Sequence, residues 1–109
     1  MFLFHVYIIL GDVMVSSISI HDFFSLKDVS LIDIRSKIEF DSGHIDGAVN
    51  IPYEKLISNP SDFLDLEKKY CLYCQKGLTS YSVCNILSKL GYDVVNISGG
   101  YYGYILGNN

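Results

Sequence analysis

Tyr70-Cys71-Leu72-Tyr73-Cys74-Gln75-Lys76-Gly77-Leu78-Thr79-Ser80 is the stretch whose reading decides the fold. Tyr70 to Tyr73 is apolar and aromatic, as a buried strand requires. Cys74 follows at its end, and Gly77 punctuates a loop over Cys74 to Thr79. Ser80 to Leu90 then carries Val83, Ile86, Leu87 and Leu90 at helical spacing, with Cys84 beside them. Gly91 stands where a left-handed residue ends a helix. Strand, cysteine, tight loop and helix start therefore follow one another. This order brings the Cys74 sulfur to the carboxyl edge of a sheet, where open α/β folds bind ligands. It also aims the loop N–H groups and the helix N-terminus at the sulfur.

The rest of the chain repeats the alternation. Val15 to Ile18, Val29 to Ile34, Ala48 to Ile51 and Val94 to Ile97 read as short strands. Between them, Asp22 to Leu26 is predicted helical behind a Ser19 cap, with Phe23 and Phe24 partly buried. Ser36 to Asp41, Tyr53 to Ile57, Ser61 to Glu67 and Tyr101 to Leu106 are the other predicted helical pieces. Ser42-Gly43, Asn59-Pro60 and Gly99-Gly100 are turn signals. Strands separated by helices predict parallel pairing through right-handed crossovers. The expected architecture is a three-layer α/β sandwich, a central mostly parallel sheet with helices on both faces.

A chain of 109 residues fits one domain, and half of it is hydrophobic, enough for one packed core. Eight Lys and Arg against 12 Asp and Glu leave a net charge of −4 with no basic stripe, a poor match to nucleic acid. Three cysteines, an odd and small number, argue against a secreted disulfide framework and suit a reducing cytoplasm. Residues 2–10 are strongly apolar, but a bilayer span takes about 20 residues. No Lys or Arg precedes Lys27, so a secretory signal is not indicated and no membrane partner is expected. Residues 1–13 are read as an apolar extension outside a domain of residues 14–109, with Met14 the start of the domain. An extra strand through Val6, Ile8 and Ile9 is the other reading.

Cys74 is the candidate nucleophile because the thiolate, not the thiol, attacks. A cysteine at its ordinary pKa is only about 3% ionised at pH 7. A helix N-terminus contributes only about 0.3–1 kcal/mol toward an anion. Hydrogen bonds from the loop N–H groups must therefore supply the rest. Gly77 lets that loop curl without a Cβ in the way, and Lys76 adds positive charge at its mouth. Cys71 and Cys74 form a C-x-x-C string, but residues three apart on a strand face opposite sides. Cys71 is therefore expected to be buried and unable to pair with Cys74, and Cys84 to be inert on the core face of its helix. Zinc is not expected, since no second ligand pair has suitable spacing. His44 is read as structural, bonded to a backbone carbonyl. Asp33 and Arg35 are either a support for the loop and its substrate or an ordinary surface ion pair.

Four ordered pieces resemble the rhodanese family: Leu31-Ile32-Asp33-Ile34-Arg35, Gly43 to Pro52 (GHIDGAVNIP), Tyr73 to Ser80 (YCQKGLTS), and Leu90-Gly91-Tyr92 through Ile97-Ser98-Gly99-Gly100. The resemblance runs from about Met14 to the end. It implies a rhodanese-like fold and a sulfurtransferase. Cys74 would be catalytic and take sulfur from a donor such as thiosulfate as a persulfide. A thiol acceptor, cyanide or a partner protein would then remove it. The implied active-site loop is Gln75, Lys76, Gly77, Leu78, Thr79 and Ser80, with Arg35 as a loop-supporting or substrate-facing cation. Neither metal nor organic cofactor is implied. Two positions depart from the family pattern: Thr79 stands where the loop commonly carries Arg, and Tyr104 where Trp is frequent. Without that guanidinium, thiosulfate is expected to be a modest donor.

Two rival functions follow from the same residues. A related phosphatase needs Arg six residues after the cysteine, where this chain has Ser80. A relay or persulfide-sensing module that does not turn over needs the same thiolate as the enzyme, so its residues are identical.

Overall fold

Alternation along the strands splits the core between two faces of one sheet. The computed structural model describes residues 15–107; the readings made for residues 1–13 and for Met14 lie outside them. The elements run β1 (Ser17–Ile18), α1 (Ile20–Phe23), β2 (Val29–Asp33), α2 (Lys37–Ser42), β3 (Val49–Asn50), α3 (Tyr53–Ser58), a 3-10 turn (Pro60–Asp62), β4 (Lys69–Tyr73), α4 (Leu78–Lys89), β5 (Asp93–Ile97) and α5 (Gly100–Leu106). The five strands form one sheet in the order β1-β5-β4-β2-β3, and every pair is parallel. β4 lies in the middle, flanked by β2 through the pairs Leu31–Cys71 and Asp33–Tyr73 and by β5 through Cys71–Val95.

On one face Ile32, Leu72 and Val94 pack with Leu56 of α3 and with Val83, Cys84 and Leu87 of α4. On the other, Leu31, Cys71, Tyr73, Val95 and Ile97 pack with Ile20 of α1 and Ile45, and Tyr101 and Tyr104 of α5 lean on them. Leu72, Leu87, Leu56 and Ile97 are sealed from solvent, and each large side chain so buried stabilises the fold by about 1.5–3 kcal/mol. The period of two puts Cys71 on one face and Cys74 on the other.

Local signals set the helix ends. Ser19 Oγ accepts from the Asp22 N–H at 2.9 Å, and Ser36 and Glu39 form a reciprocal capping box at α2. Gly91 adopts φ +98°. Its N–H reaches the Ser88 carbonyl while that of Tyr92 reaches Leu87, the paired closure of a left-handed helix end.

Several boundaries and faces differ from the sequence reading. α4 begins at Leu78, two residues earlier than expected, because Gly77 at φ +95° completes the turn by itself. The loop is therefore Cys74 to Gly77, and Leu78, Thr79 and Ser80 form the first helical turn. The buried stripe of α4 is Ser80, Val83, Cys84 and Leu87. Ile86 sits one residue, or 100°, off that stripe, and Leu90 lies beyond the last helical residue. Both are exposed. α1 stops at Phe23, so Phe24 is its C-cap residue and is exposed rather than partly buried, its ring edge-on to Phe23. Ser61 to Glu67 is not helical beyond Asp62. There the Asp65 N–H goes to the Tyr70 hydroxyl at 2.7 Å and the Asp65 carboxylate takes the Glu67 N–H at 2.8 Å, local bonds that compete with a helix.

Candidate active site

Parallel strands all deliver their carboxyl ends to one edge, and there β2, β4 and β5 bring Arg35, Cys74 and Gly99-Gly100 together. Cys74 follows the last residue of β4 and is only 7% exposed. Its sulfur accepts the N–H of Gly77 at 3.2 Å and the N–H of Ser80 at 3.2 Å. The Ser80 hydroxyl lies 3.3 Å from the sulfur and donates to Asn96 Oδ1 at 2.5 Å. The Asn96 amide in turn donates to Ser17 of β1 at 3.3 Å. Two backbone amides thus converge on a sulfur at a helix N-terminus, the arrangement that stabilises a thiolate.

The loop can turn its amides inward because its carbonyls are taken up outside. The Cys74 and Gln75 carbonyls accept the N–H groups of Tyr101 and Tyr102, the first turn of α5. Gly100 makes that approach possible: at φ +55°, a Cβ there would run into the Cys74 carbonyl oxygen and lie 2.8 Å from that of Gln75. Gly77 faces the same junction, where a Cβ would meet the Gly99 nitrogen at 3.1 Å.

Arg35 holds the other side of the loop. Nε and Nη2 grip the Asp33 carboxylate at 2.7–3.1 Å, Nη2 also donates to the Gly43 carbonyl at 2.6 Å, and Nη1 reaches Gln75 Oε1 at 3.0 Å. The guanidinium is stacked 4.2 Å from the centre of the Tyr101 ring. Its side chain is 4% exposed and that of Asp33 is fully buried, so the pair is no surface ion pair but a buried clamp on the loop. Burial opposes the charge of Arg35, yet the Asp33 carboxylate outweighs it and holds the guanidinium above its ordinary range. Tyr73 closes the underside. Its hydroxyl accepts from the Ile45 N–H at 3.0 Å, and burial, with the Asp33 carboxylate, pushes its ionisation well up.

The sulfur opens onto a cleft of about 420 Å³ walled by Ile34, Arg35, Glu39, Pro52, Glu54, Gln75 and Thr79. Thr79 therefore shares the cleft wall with Cys74. Leu78 and Lys76 line a smaller depression of about 180 Å³ that also reaches Cys74. Lys76 is exposed, with its ammonium 5.9 Å over the Tyr102 ring rather than in the larger cleft. His44 lies away from the sulfur: Nδ1 donates to the Phe40 carbonyl at 2.9 Å and the ring stacks on Phe40. Cys71 and Cys84 are buried and free. Burial pushes their thiols up to about 11 and about 12, which keeps both protonated and unreactive near neutral pH. Among the described residues no group of three or more His, Cys, Asp or Glu has the geometry of a metal site, and no helix is long and apolar enough to cross a membrane. The sequence reading missed Asn96, although it is the one polar side chain in the buried run Val94 to Ile97, a signal that marks a hydrogen-bonding role.

Comparison with known proteins agrees with this fold. Residues 20–106 match the rhodanese-like domain family. The chain is 35% identical over 74 residues to the putative sulfurtransferase YtwF of Bacillus subtilis, covering 68% of this chain and 71% of that one. It is 33% identical over 79 residues to the thiosulfate sulfurtransferase GlpE of Shewanella oneidensis, covering 69% and 74%. The crystal structure of a rhodanese-related protein from Thermoplasma volcanium superposes with a TM-score of 0.76 at 30% identity, over 84% of this chain and 92% of that one. The chain belongs to the rhodanese-like family, whose relatives include named sulfurtransferases.

Proposed function

We propose that this protein is a sulfurtransferase and that Cys74 is its nucleophile. The single observation that carries the reading is the pair of backbone N–H groups, from Gly77 and Ser80, each 3.2 Å from the Cys74 sulfur. Such donors favour the anion over the thiol and remain in place while the sulfur reacts.

In the first half-reaction the Cys74 thiolate attacks the outer sulfur of a donor such as thiosulfate. The new S–S bond forms as the old one breaks, sulfite departs with the electron pair, and Cys74 carries a persulfide. In the second, a thiol or cyanide attacks the outer persulfur and the Cys74 thiolate is the leaving group. Gln75, Lys76 and Gly77 of the loop, with Leu78, Thr79 and Ser80 of the first turn of α4, bind the transferred group, and Arg35 acts on it through Gln75 as a positioning residue. No metal or organic cofactor takes part. An odd, small number of cysteines suits a reducing compartment, the cytoplasm.

Incubation with thiosulfate followed by intact mass measurement tests the proposal. A gain of one sulfur atom in the wild type, absent in Cys74→Ser, is expected; a mass left unchanged by thiosulfate and by a small thiol persulfide alike, or a gain that survives Cys74→Ser, refutes it. Multiple turnovers with a small thiol then separate an enzyme from a relay module, which would hold its sulfur until a partner protein docks.

A further inference from the structure

We infer that the cleft beside Cys74 selects a small persulfide whose carrier is cationic or uncharged over anionic donors, and that Glu54 is the specificity-determining residue. The inference rests on the sulfurtransferase reading and names the donor class for that same site.

The argument is one of charge. Two cations line the cleft, Arg35 and Lys37, and so do two carboxylates, Glu39 and Glu54. Each cation is already paired outside the cleft: Arg35 grips buried Asp33 at 2.7 Å, and Lys37 bonds Asp41 along its own helix at 2.8 Å. Glu39 is tied to the Ser36 N–H at 3.2 Å at the start of α2, which offsets part of its charge. Glu54 is exposed in the first turn of α3 and makes no ion pair or side-chain hydrogen bond among the described residues. Among the described residues its carboxylate thus lines the cleft without a partner of its own. Thr79 brings only a hydroxyl to the wall it shares with Cys74, and Lys76 lies over Tyr102 in the smaller depression on the other side of Cys74 rather than in this cleft. A dianion such as thiosulfate entering here meets the unpartnered Glu54 carboxylate and a chain of net charge −4. A small thiol persulfide fits a cleft of about 420 Å³, within the ordinary size range of small-molecule sites, and an ammonium on its carrier would face Glu54.

The step balances without a further reactant. The Cys74 thiolate attacks the outer sulfur of R–S–SH, the Cys74–S–SH bond forms, the R–S bond to that sulfur breaks, and RS⁻ leaves with the electron pair.

Single-turnover uptake of sulfur by Cys74, followed by intact mass at low ionic strength, tests the inference with three donors. These are thiosulfate, the persulfide of cysteamine (cationic carrier) and the persulfide of N-acetylcysteamine (nearly the same shape, neutral). Each rate is divided by that for the neutral carrier. In Glu54→Lys the thiosulfate ratio is expected to rise and the cysteamine ratio to fall, each by about five-fold, with Glu54→Gln in between. Added salt should shrink both changes. Ratios that stay at their wild-type values, or that move in the same direction, overturn the inference while leaving sulfur transfer intact. A wild-type chain that takes sulfur from none of the three overturns the sulfurtransferase reading itself.

Discussion

Nη1 of Arg35 donates to the side-chain carbonyl of Gln75 at 3.0 Å, a bond between residues 40 apart in the chain. Through it the buried Asp33–Arg35 pair at the end of β2 holds the loop that follows β4. Asn50 secures the same strand end by donating to the Asp33 and Arg35 carbonyls, both at 3.0 Å.

Lysine cannot replace Arg35. An ammonium has the charge but not the fork that serves Asp33, Gly43 and Gln75 together. Arg35→Lys should leave the buried Asp33 carboxylate under-satisfied and lower stability by about 3 kcal/mol, measured by urea denaturation. Gln75→Ala removes only the strut to the loop and should cost about 1 kcal/mol. Equal losses in the two variants would contradict the role given to Asp33.

Gly100→Ala puts a methyl group into the junction between the loop carbonyls and α5. Overpacking and a left-handed alanine should together cost about 3 kcal/mol. Because the displaced atoms are the Cys74 and Gln75 carbonyls, sulfur uptake by Cys74 should fall even at temperatures where the variant is folded. Circular dichroism and intact mass on the same sample check both parts.

Thr79→Arg adds a guanidinium to the cleft wall shared with Cys74. The KM for thiosulfate should fall, by about ten-fold for one charge-assisted pair in a half-open site. A steady-state thiosulfate:cyanide assay decides the matter, and an unchanged KM would count against the account of Thr79.

Alkaline pH should weaken the fold through two thiols that take no part in the chemistry. Burial raises Cys71 to about 11 and Cys84 to about 12, against an unfolded value of about 8.5. The folded chain therefore holds more protons than the unfolded one above that value. Their contribution is full below about pH 8.5 and is lost as pH rises toward 11–12, by up to about 1.4 kcal/mol per pH unit for each thiol. Urea midpoints from pH 7 to 10 should decline, and less steeply in a Cys84→Ala variant. Iodoacetamide at pH 7 should modify Cys74 alone in the native chain and all three cysteines in urea.

Local physics made much of this protein readable from its residues. The period of two separated Cys71 from Cys74, because successive strand side chains must face opposite sides. Gly91 marked the end of α4, since it takes φ +98° without a Cβ penalty. The order strand, Cys74, Gly77, helix identified the amide cup, because a short loop into a helix start leaves unpaired N–H groups nowhere else to point. Tertiary structure alone decided the rest. Whether Arg35 was a surface cation or a buried clamp depended on Asp33, Gly43, Gln75 and Tyr101, which only the crossovers of a parallel sheet bring together. The Ser80–Asn96 bond needs β5 beside β4, and the exposure of Ile86 follows from how narrow a stripe α4 lays on the sheet. Glu54 looks like any surface carboxylate until α3 carries it to the mouth of the sulfur cleft. Hydrogen bonds within three or four residues follow from local backbone geometry, whereas those between distant strands exist only once hydrophobic burial has fixed the order of the sheet.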